Sequence, residues 1–247
     1  MMKRSNWLIM IALALIVFSL FLHDRLLSAL YLNGSYKNPY LYFVTLQIKN
    51  FDKVDLISSN AANVKFIQGP YKILIDSNAR EYVNITQAGR TLRISADYSK
   101  NDFRYNENPY LIVISCPILK TVNAGAMYQA HNKPFIDTAI RTDWKMRQVL
   151  IDGFTQDSLS IIQNYGSTIE MTNNQIANLQ ADIGIARKSG SKLLLYKNNH
   201  FQNANFNILN KSQLFINEAK IANLNYHLAD SAKLVVSGAS QQLIKKP

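Results

Sequence analysis

Cysteine is almost missing from this chain of 247 residues: Cys116 is the only one, so no disulfide within the chain can form. With 9 Gly and 6 Pro, the chain is neither collagen-like nor a flexible linker protein. Charge is sparse, 17% of residues against 48% hydrophobic, which leaves enough apolar material for one large domain with a continuous core. The four histidines, His23, His131, His200 and His227, share no metal-ligand spacing, and there is no H-E-x-x-H. No G-x-S-x-G, P-loop or G-x-G-x-x-G occurs, so the common nucleophile, nucleotide and dinucleotide signatures are excluded, and no cofactor is expected. Cys116 closes the apolar run 111–116 with no histidine or basic residue near it in sequence. It reads as a small core residue, because a catalytic thiol needs an electropositive setting.

Acidic residues are scarce relative to basic ones, 16 against 27, and the net charge is +11. A basic surface attracts anionic partners. The cations are scattered, with local groupings at Arg141, Lys145 and Arg147 and at Arg187, Lys188, Lys192 and Lys197. These seven are the candidate anionic-ligand surface, set against the plainer reading of a solvated face. Nucleic acid would suit the charge, but no basic-aromatic motif accompanies it, and no nucleic-acid partner is expected.

What is present begins at the N-terminus. Lys3 and Arg4 precede an apolar run from Trp7 to Leu22, interrupted only by Ser19 and closed by His23, Asp24 and Arg25. Sixteen helical residues span about 24 Å, somewhat short of a hydrocarbon core of about 30 Å. Polar ends can snorkel, and Trp7 suits the interface. Signal-peptide cleavage wants small residues at −3 and −1, and in Leu27-Ser28-Ala29 the −3 position is Leu. The run reads as an uncleaved signal anchor over residues 1–25. The positive-inside rule then puts the N-terminus in the cytoplasm and the main domain outside the inner membrane.

Residues 26–50 read as a membrane-proximal segment and a first strand, Leu41–Ile48. Short strands follow with little helical periodicity, over 54–58, 64–67, 71–75, 81–85, 91–94 and 110–115. The pair 81–85 and 91–94 flanks Ala88-Gly89-Arg90 and reads as a hairpin. Residues 97–109 read as a surface loop and 137–147, with Trp144, as a lateral excursion. From Ser158 onward an apolar-x-apolar pair returns about every ten residues. The pairs are Leu159/Ile161, Ile169/Met171, Leu179/Ala181, Leu193/Leu195, Ala204/Phe206, Leu214/Ile216, Leu224/Tyr226 and Leu234/Val236. Alternation is the strand period, and a fixed repeat of strands predicts stacked modules. The expected fold class is all-β: a right-handed β-helix or solenoid-like stack preceded by one transmembrane helix. An antiparallel meander is the competing architecture. The many Asn residues hold no strict register along the sequence, so they read as turn formers rather than as a stacked ladder. The tail, residues 241–247, ends in Lys-Lys-Pro and suits a blunted sheet edge.

Several stretches resemble a known family. The block Phe51–Gly69 is similar to its "F-x-x-I", second strand and "I-x-Q-G" order. Tyr82–Ile85 with Gly89–Ile94 fits its "tL-x-I" strand. Leu111–Lys120 with Ala124-Gly125-Ala126 fits its apolar strand, Pro-x-Leu step and turn. Its Gly-Ser turns persist at Gly166-Ser167 and Gly190-Ser191, and become Lys211-Ser212 and Asp230-Ser231. Over roughly residues 51–240 the chain resembles the auto-transporter adhesin head, or GIN, domain of Bacteroidetes-type bacteria. The resemblance implies an extracytoplasmic right-handed β-helix-like domain of the bacterial envelope. It brings no catalytic residues. It implies an adhesin or scaffold that meets a glycan, an envelope polymer or a membrane protein. One alternative is a carbohydrate-active enzyme on the same fold, with Glu170 and Asp182 as the acids able to approach on adjacent coils, and another is an accessory to a membrane signalling or stress protein. Asp137, Asp143, Asp152 and Asp157 are the remaining candidates.

Overall fold

The computed structural model describes residues 4–32, 34, 38–99, 110–139 and 148–244. The chain divides into two compact parts, residues 1–42 and 43–247. The first is built on one helix, α1 (Arg4–Leu32). Its stretch Asn6–Leu32 is apolar enough for a membrane anchor or a signal sequence, and none of its side chains is buried within the protein. The apolar run read from sequence stopped at Leu22, but the helix continues through the charged triplet. There the Arg25 guanidinium lies over the Phe21 ring, 5.1 Å from its centre.

The second part is mostly β. Sheet A takes the strands β1 (Phe43–Leu46), β3 (Val64–Gln68), β4 (Lys72–Asp76), β7 (Ile112–Cys116), β11 (Val149–Asp152), β13 (Thr168–Thr172), β15 (Lys192–Leu195), β17 (Gln213–Asn217) and β19 (Lys233–Ser237). Sheet B takes β2 (Lys53–Leu56), β5 (Val83–Ala88), β6 (Thr91–Ala96), β8 (Thr121–Ala124), β12 (Thr155–Gln163), β14 (Gln175–Ile183), β16 (His200–Ile208) and β18 (Lys220–Leu228). From β11 on, the chain alternates between the sheets and every pairing is parallel. The other end departs from this order. There β1 and β4 run antiparallel in sheet A, the hairpin β5–β6 edges sheet B, and β2 lies between the later strands β6 and β8. Neither sheet closes on itself. A separate hairpin, β9 (Met127–Ala130) and β10 (Lys133–Ile136), turns on His131 and Asn132, both with positive φ.

The ten-residue period now has a cause. Leu159, Leu179, Ala204 and Leu224 stack on one another in sheet B, whereas Ile169, Leu193, Leu214 and Leu234 stack in sheet A. Ten residues carry the chain from one sheet to the other, and about twenty carry it up one layer. The pairs read from sequence as inward, from Leu159/Ile161 through Leu214/Ile216, are all buried in one core that runs from Phe51 to Ile221. Extra residues sit at corners, so they lengthen a turn without shifting a strand by one and turning its apolar side outward.

Polar side chains line both corners of the stack. At one, Asn174 and Asn199 are fully buried. Asn199 Oδ1 accepts from the Asn174 backbone N–H (3.1 Å) and from its Nδ2 (2.9 Å). Asn199 Nδ2 donates to the carbonyls of Met171 (2.7 Å) and Tyr196 (2.8 Å). Asn174 in turn accepts from the Phe154 N–H at 2.9 Å. At the other corner Ser167, Ser191 and Ser212 stack, all buried; Ser167 and Ser191 are bonded through their hydroxyls, and the Ser212 hydroxyl accepts from the Ser191 N–H. These serines are the second members of the Gly-Ser turns and survive where the glycine is lost. Asn also serves as a turn former, with positive φ at Asn173, Asn198 and Asn210. The expectation that Asn would not ladder is therefore corrected: corner insertions hide the register in sequence, and the layers restore it in space. Gly184 is required where it stands, with φ +81° and any Cβ driven against the Ser212 side chain and the Leu209 carbonyl.

Cys116 is buried in the core, as expected. Tyr98 was expected in a surface loop. Instead it is buried, stacked on Tyr82 at 4.8 Å and edge-on to Tyr128, with its hydroxyl donating to the Ala61 carbonyl at 2.6 Å. Trp144 and most of its expected excursion lie outside the described residues, as do 245–247.

Candidate functional site

A groove of about 940 Å³ lies over the opening residues of β12, β14, β16 and β18. The pairing register puts Thr155, Gln175, His200 and Lys220 in one row, all exposed. Next to it run Gln156, Ile176, Phe201 and Ile221, the last three buried. Asp157, Ala177, Gln202 and Ala222 follow along the same strands, and the 3₁₀ turn Gly238–Leu243 contributes Ser240, Gln242 and Leu243. Gln156 is held in place, its amide donating to the Leu119 and Ser158 carbonyls at 2.7 Å each. The groove thus has an apolar floor, polar side chains repeated at the strand spacing of about 4.8 Å, and opposite charges at Glu218 and Lys220.

Beyond the groove, the outer face of sheet B carries three stacked rows. These are Ser158, Asn178, Asn203, Asn223; Ser160, Gln180, Asn205, Asn225; and Ile162, Asp182, Asn207, His227. Neighbouring amides are bonded across the layers, Asn203 to Asn178 at 2.9 Å, Asn223 to Asn203 at 3.0 Å and Asn225 to Asn205 at 3.1 Å. The outer face of sheet A is different. Its central row is Leu150, Glu170, Leu194, Phe215 and Val235, and burial among these apolar neighbours raises the Glu170 carboxyl above its ordinary range.

Charge is organised at the opposite end of sheet B. Asp52, buried just before β2, accepts from Arg90 at 2.8 Å and pairs with Lys120 at 3.2 Å, the residues just before β6 and β8. The Arg90 hydrogen bond holds the Asp52 carboxyl below its usual range, and Lys120 adds to this against the opposing effect of burial. Asp152 is also lowered. Its burial acts to raise it, and hydrogen bonds from Asn173, Lys65 and Thr172 outweigh that.

The expected site residues are spread out. Arg187 and Lys188 are exposed in the turn after β14, Lys192 opens β15, and Lys197 lies in the turn beyond the far end of that strand. Three of the seven cations thus flank one corner and Lys197 another. Arg141, Lys145 and Arg147 lie outside the described residues. Glu170 and Asp182 do not approach each other. They sit on different sheets, each beside inward-facing neighbours in the shared core, so each points away from the other. For this pair the geometry that a paired-acid hydrolysis needs is absent. Asp137 is buried and accepts from Asn60 Nδ2 at 3.1 Å, which gives it a structural task. Among the described residues no group of His, Cys, Asp and Glu could hold a metal.

No family model matches this chain, and no curated protein matches it. Solved structures do. One, a "putative adhesin" from Parabacteroides distasonis, is 12% identical, with a TM-score of 0.55 over 78% of this chain and 71% of that one. A "putative adhesin" from Bacteroides fragilis is 12% identical, with a TM-score of 0.46 over 79% of this chain and 96% of that one. A "putative lipid binding protein" from Parabacteroides distasonis is 14% identical, with a TM-score of 0.35 over 80% and 94%. At such identities the first likeness is one of fold.

The groove was not read from sequence. Its signal was present, because Gln175, His200 and Lys220 open successive sheet B strands, and each is followed by an apolar residue. The spacing of those openings, stretched mainly by the longer corner between β14 and β15, hid the row.

Proposed function

We propose that this protein is a single-pass, membrane-anchored envelope component whose β domain, residues 51–240, is a right-handed solenoid of the GIN type. The N-terminus is cytoplasmic, the domain extracytoplasmic, and the role is non-catalytic: an adhesin or scaffold that holds an extended polymer. The observation that carries this reading is the stacking of asparagine amides, layer upon layer, beside a groove whose polar side chains recur at the strand spacing. A surface that repeats at one interval presents the same contact many times, which suits a linear ligand with its own repeat better than a compact one. Amide side chains offer both donors and acceptors, as hydroxyl-rich glycans require. The positive-inside rule supports the orientation, and the name of the Parabacteroides neighbour supports binding over catalysis. The exposed cations Arg187, Lys188 and Lys197, with Lys192, would draw an anionic polymer to the same domain.

The test is binding of the full chain in detergent micelles to a panel of envelope polymers and acidic glycans, with mass spectrometry of the ligand afterwards. Saturable binding without product is expected, weakened by Gln202→Ala and Lys220→Ala. Ligand cleavage that disappears in Glu170→Gln or Asp182→Asn would overturn the non-catalytic reading. The absence of binding to every polymer would move the role to a protein partner in the membrane.

A further inference from the structure

Sheet B ends at β18, and the end is unfinished. Phe206 and Ile208 on β16 are 3% and 0% exposed, yet the residues stacked on them, Tyr226 and Leu228, are 46% and 40% exposed. The inward apolar pattern of the earlier strands is thus repeated at a strand that leaves these side chains exposed. The 3₁₀ turn Gly238–Leu243 covers the opening of β18, where Ile221 and Ala219 are buried and Ser240 donates to the Ala219 carbonyl at 2.9 Å. It does not cover the straight arm that follows. Among the described residues no strand lies beyond β18, and the Lys-Lys-Pro expected to blunt an edge lies outside them.

We infer that this arm of β18 pairs antiparallel with the same arm of a second copy of the chain. Edges that stay single are guarded by charge, proline or bulges. The stretch Asn223-Leu-Asn-Tyr-His-Leu-Ala229 has no Lys, Arg, Asp, Glu or Pro. On a chain of net charge +11 it is a neutral strip along which two copies can approach. It is also self-complementary. With Tyr226 on the two-fold axis, Leu224 faces Leu228 of the other copy, Asn225 faces its His227, and Tyr226 faces its Tyr226. Apolar residues meet on the inner face and polar ones on the outer, as an isologous contact requires. The joined sheets continue one core through the axis and close both open ends.

The pairing is tested on the full chain in detergent micelles by cysteine cross-linking and sedimentation. Cross-strand partners have Cα atoms about 4.5–5.5 Å apart, within disulfide reach. Cys116 is buried and does not compete. Tyr226→Cys is expected to give a disulfide-linked dimer under mild oxidation. Leu228→Cys is expected to give none, because its two copies would lie about 14 Å apart. Asn225→Lys, which gives up one exposed amide bond to Asn205 and puts a charge on the seam, is expected to raise the dimer dissociation constant at least about tenfold with the circular dichroism of the folded chain unchanged. A chain that stays monomeric at all concentrations, equal cross-linking at 226 and 228, or cross-linking indifferent to Asn225→Lys would each overturn the inference. A dimer driven by α1 alone gives the second or third pattern. Failure here leaves the polymer-binding reading standing, because that reading is tested at the groove residues Gln202 and Lys220, which lie outside the strip.

Discussion

Replacing Asn199 with Leu separates the buried ladder from the exposed ones. The side chain keeps its branched shape, grows somewhat in volume and loses all four hydrogen bonds. The Met171 carbonyl keeps the Tyr196 N–H at 3.2 Å, and Asn174 Nδ2 keeps the Ile151 carbonyl at 3.0 Å. The Asn174 backbone N–H keeps nothing, since its acceptor at 3.1 Å was Asn199 Oδ1. A buried donor left unpaired costs about 1–3 kcal/mol, and each lost hydrogen bond about 1 kcal/mol more, less what the added apolar burial returns. The expected loss is about 3 kcal/mol. In a domain of this size that lowers the melting temperature by about 6–12 °C. Asn203→Ala breaks two bonds of an exposed ladder, where water takes the vacated positions, and is expected to cost below about 0.5 kcal/mol. The assay is urea unfolding followed by circular dichroism, with both variants measured beside the parent chain. Equal, small losses for Asn199→Leu and Asn203→Ala would refute the claim that the corner asparagines hold the layers together.

Asp52→Asn is expected to destabilise at neutral pH and to flatten the acid limb of the stability curve. The folded carboxyl is held below its ordinary value, so its contribution is full above the unfolded value of about 3.9 and is lost as pH falls through the folded one. Denaturant midpoints at neutral and acid pH check this. Gly184→Ala combines a left-handed backbone with a steric clash and is expected to cost at least about 2 kcal/mol. Gly153→Ala, with φ +76° and open space around it, should cost about 1 kcal/mol, as read by the same unfolding assay. The Cys116 thiol is pushed up to about 12, chiefly by burial and secondarily by the Asp52 charge. It should resist alkylation in the native chain and react fully once the chain is unfolded, counted by mass spectrometry.

Strands and core were legible because alternation states which side chains turn inward. Leu159, Ile169 and Leu179 announce their burial by spacing alone. Long-range placement was less legible. Nothing local tells β2 that its neighbours will be β6 and β8, since that order depends on non-local pairing. The Asn174–Asn199 ladder was missed because the turns at 185–190 and 197–199 add residues between partners that the fold then brings level. The pairing of Glu170 with Asp182 was proposed on sequence nearness. Successive ten-residue segments enter opposite sheets, so nearness of one period means separation by the whole core. The exposed arm of β18 misled for the opposite reason. Its sequence looks like an interior strand, and only its position shows that it is not.

Alternation between the sheets every ten residues also decides how such a molecule can change length. A deletion of about twenty residues between like positions removes one strand from each sheet and joins matching corners, leaving the groove one rung shorter. A deletion of ten sends every later strand to the opposite sheet, so the row that ends in Lys220 would lose its alignment. The domain is therefore a ruler graduated in whole turns of chain. Its length can grow or shrink by duplication, one layer at a time.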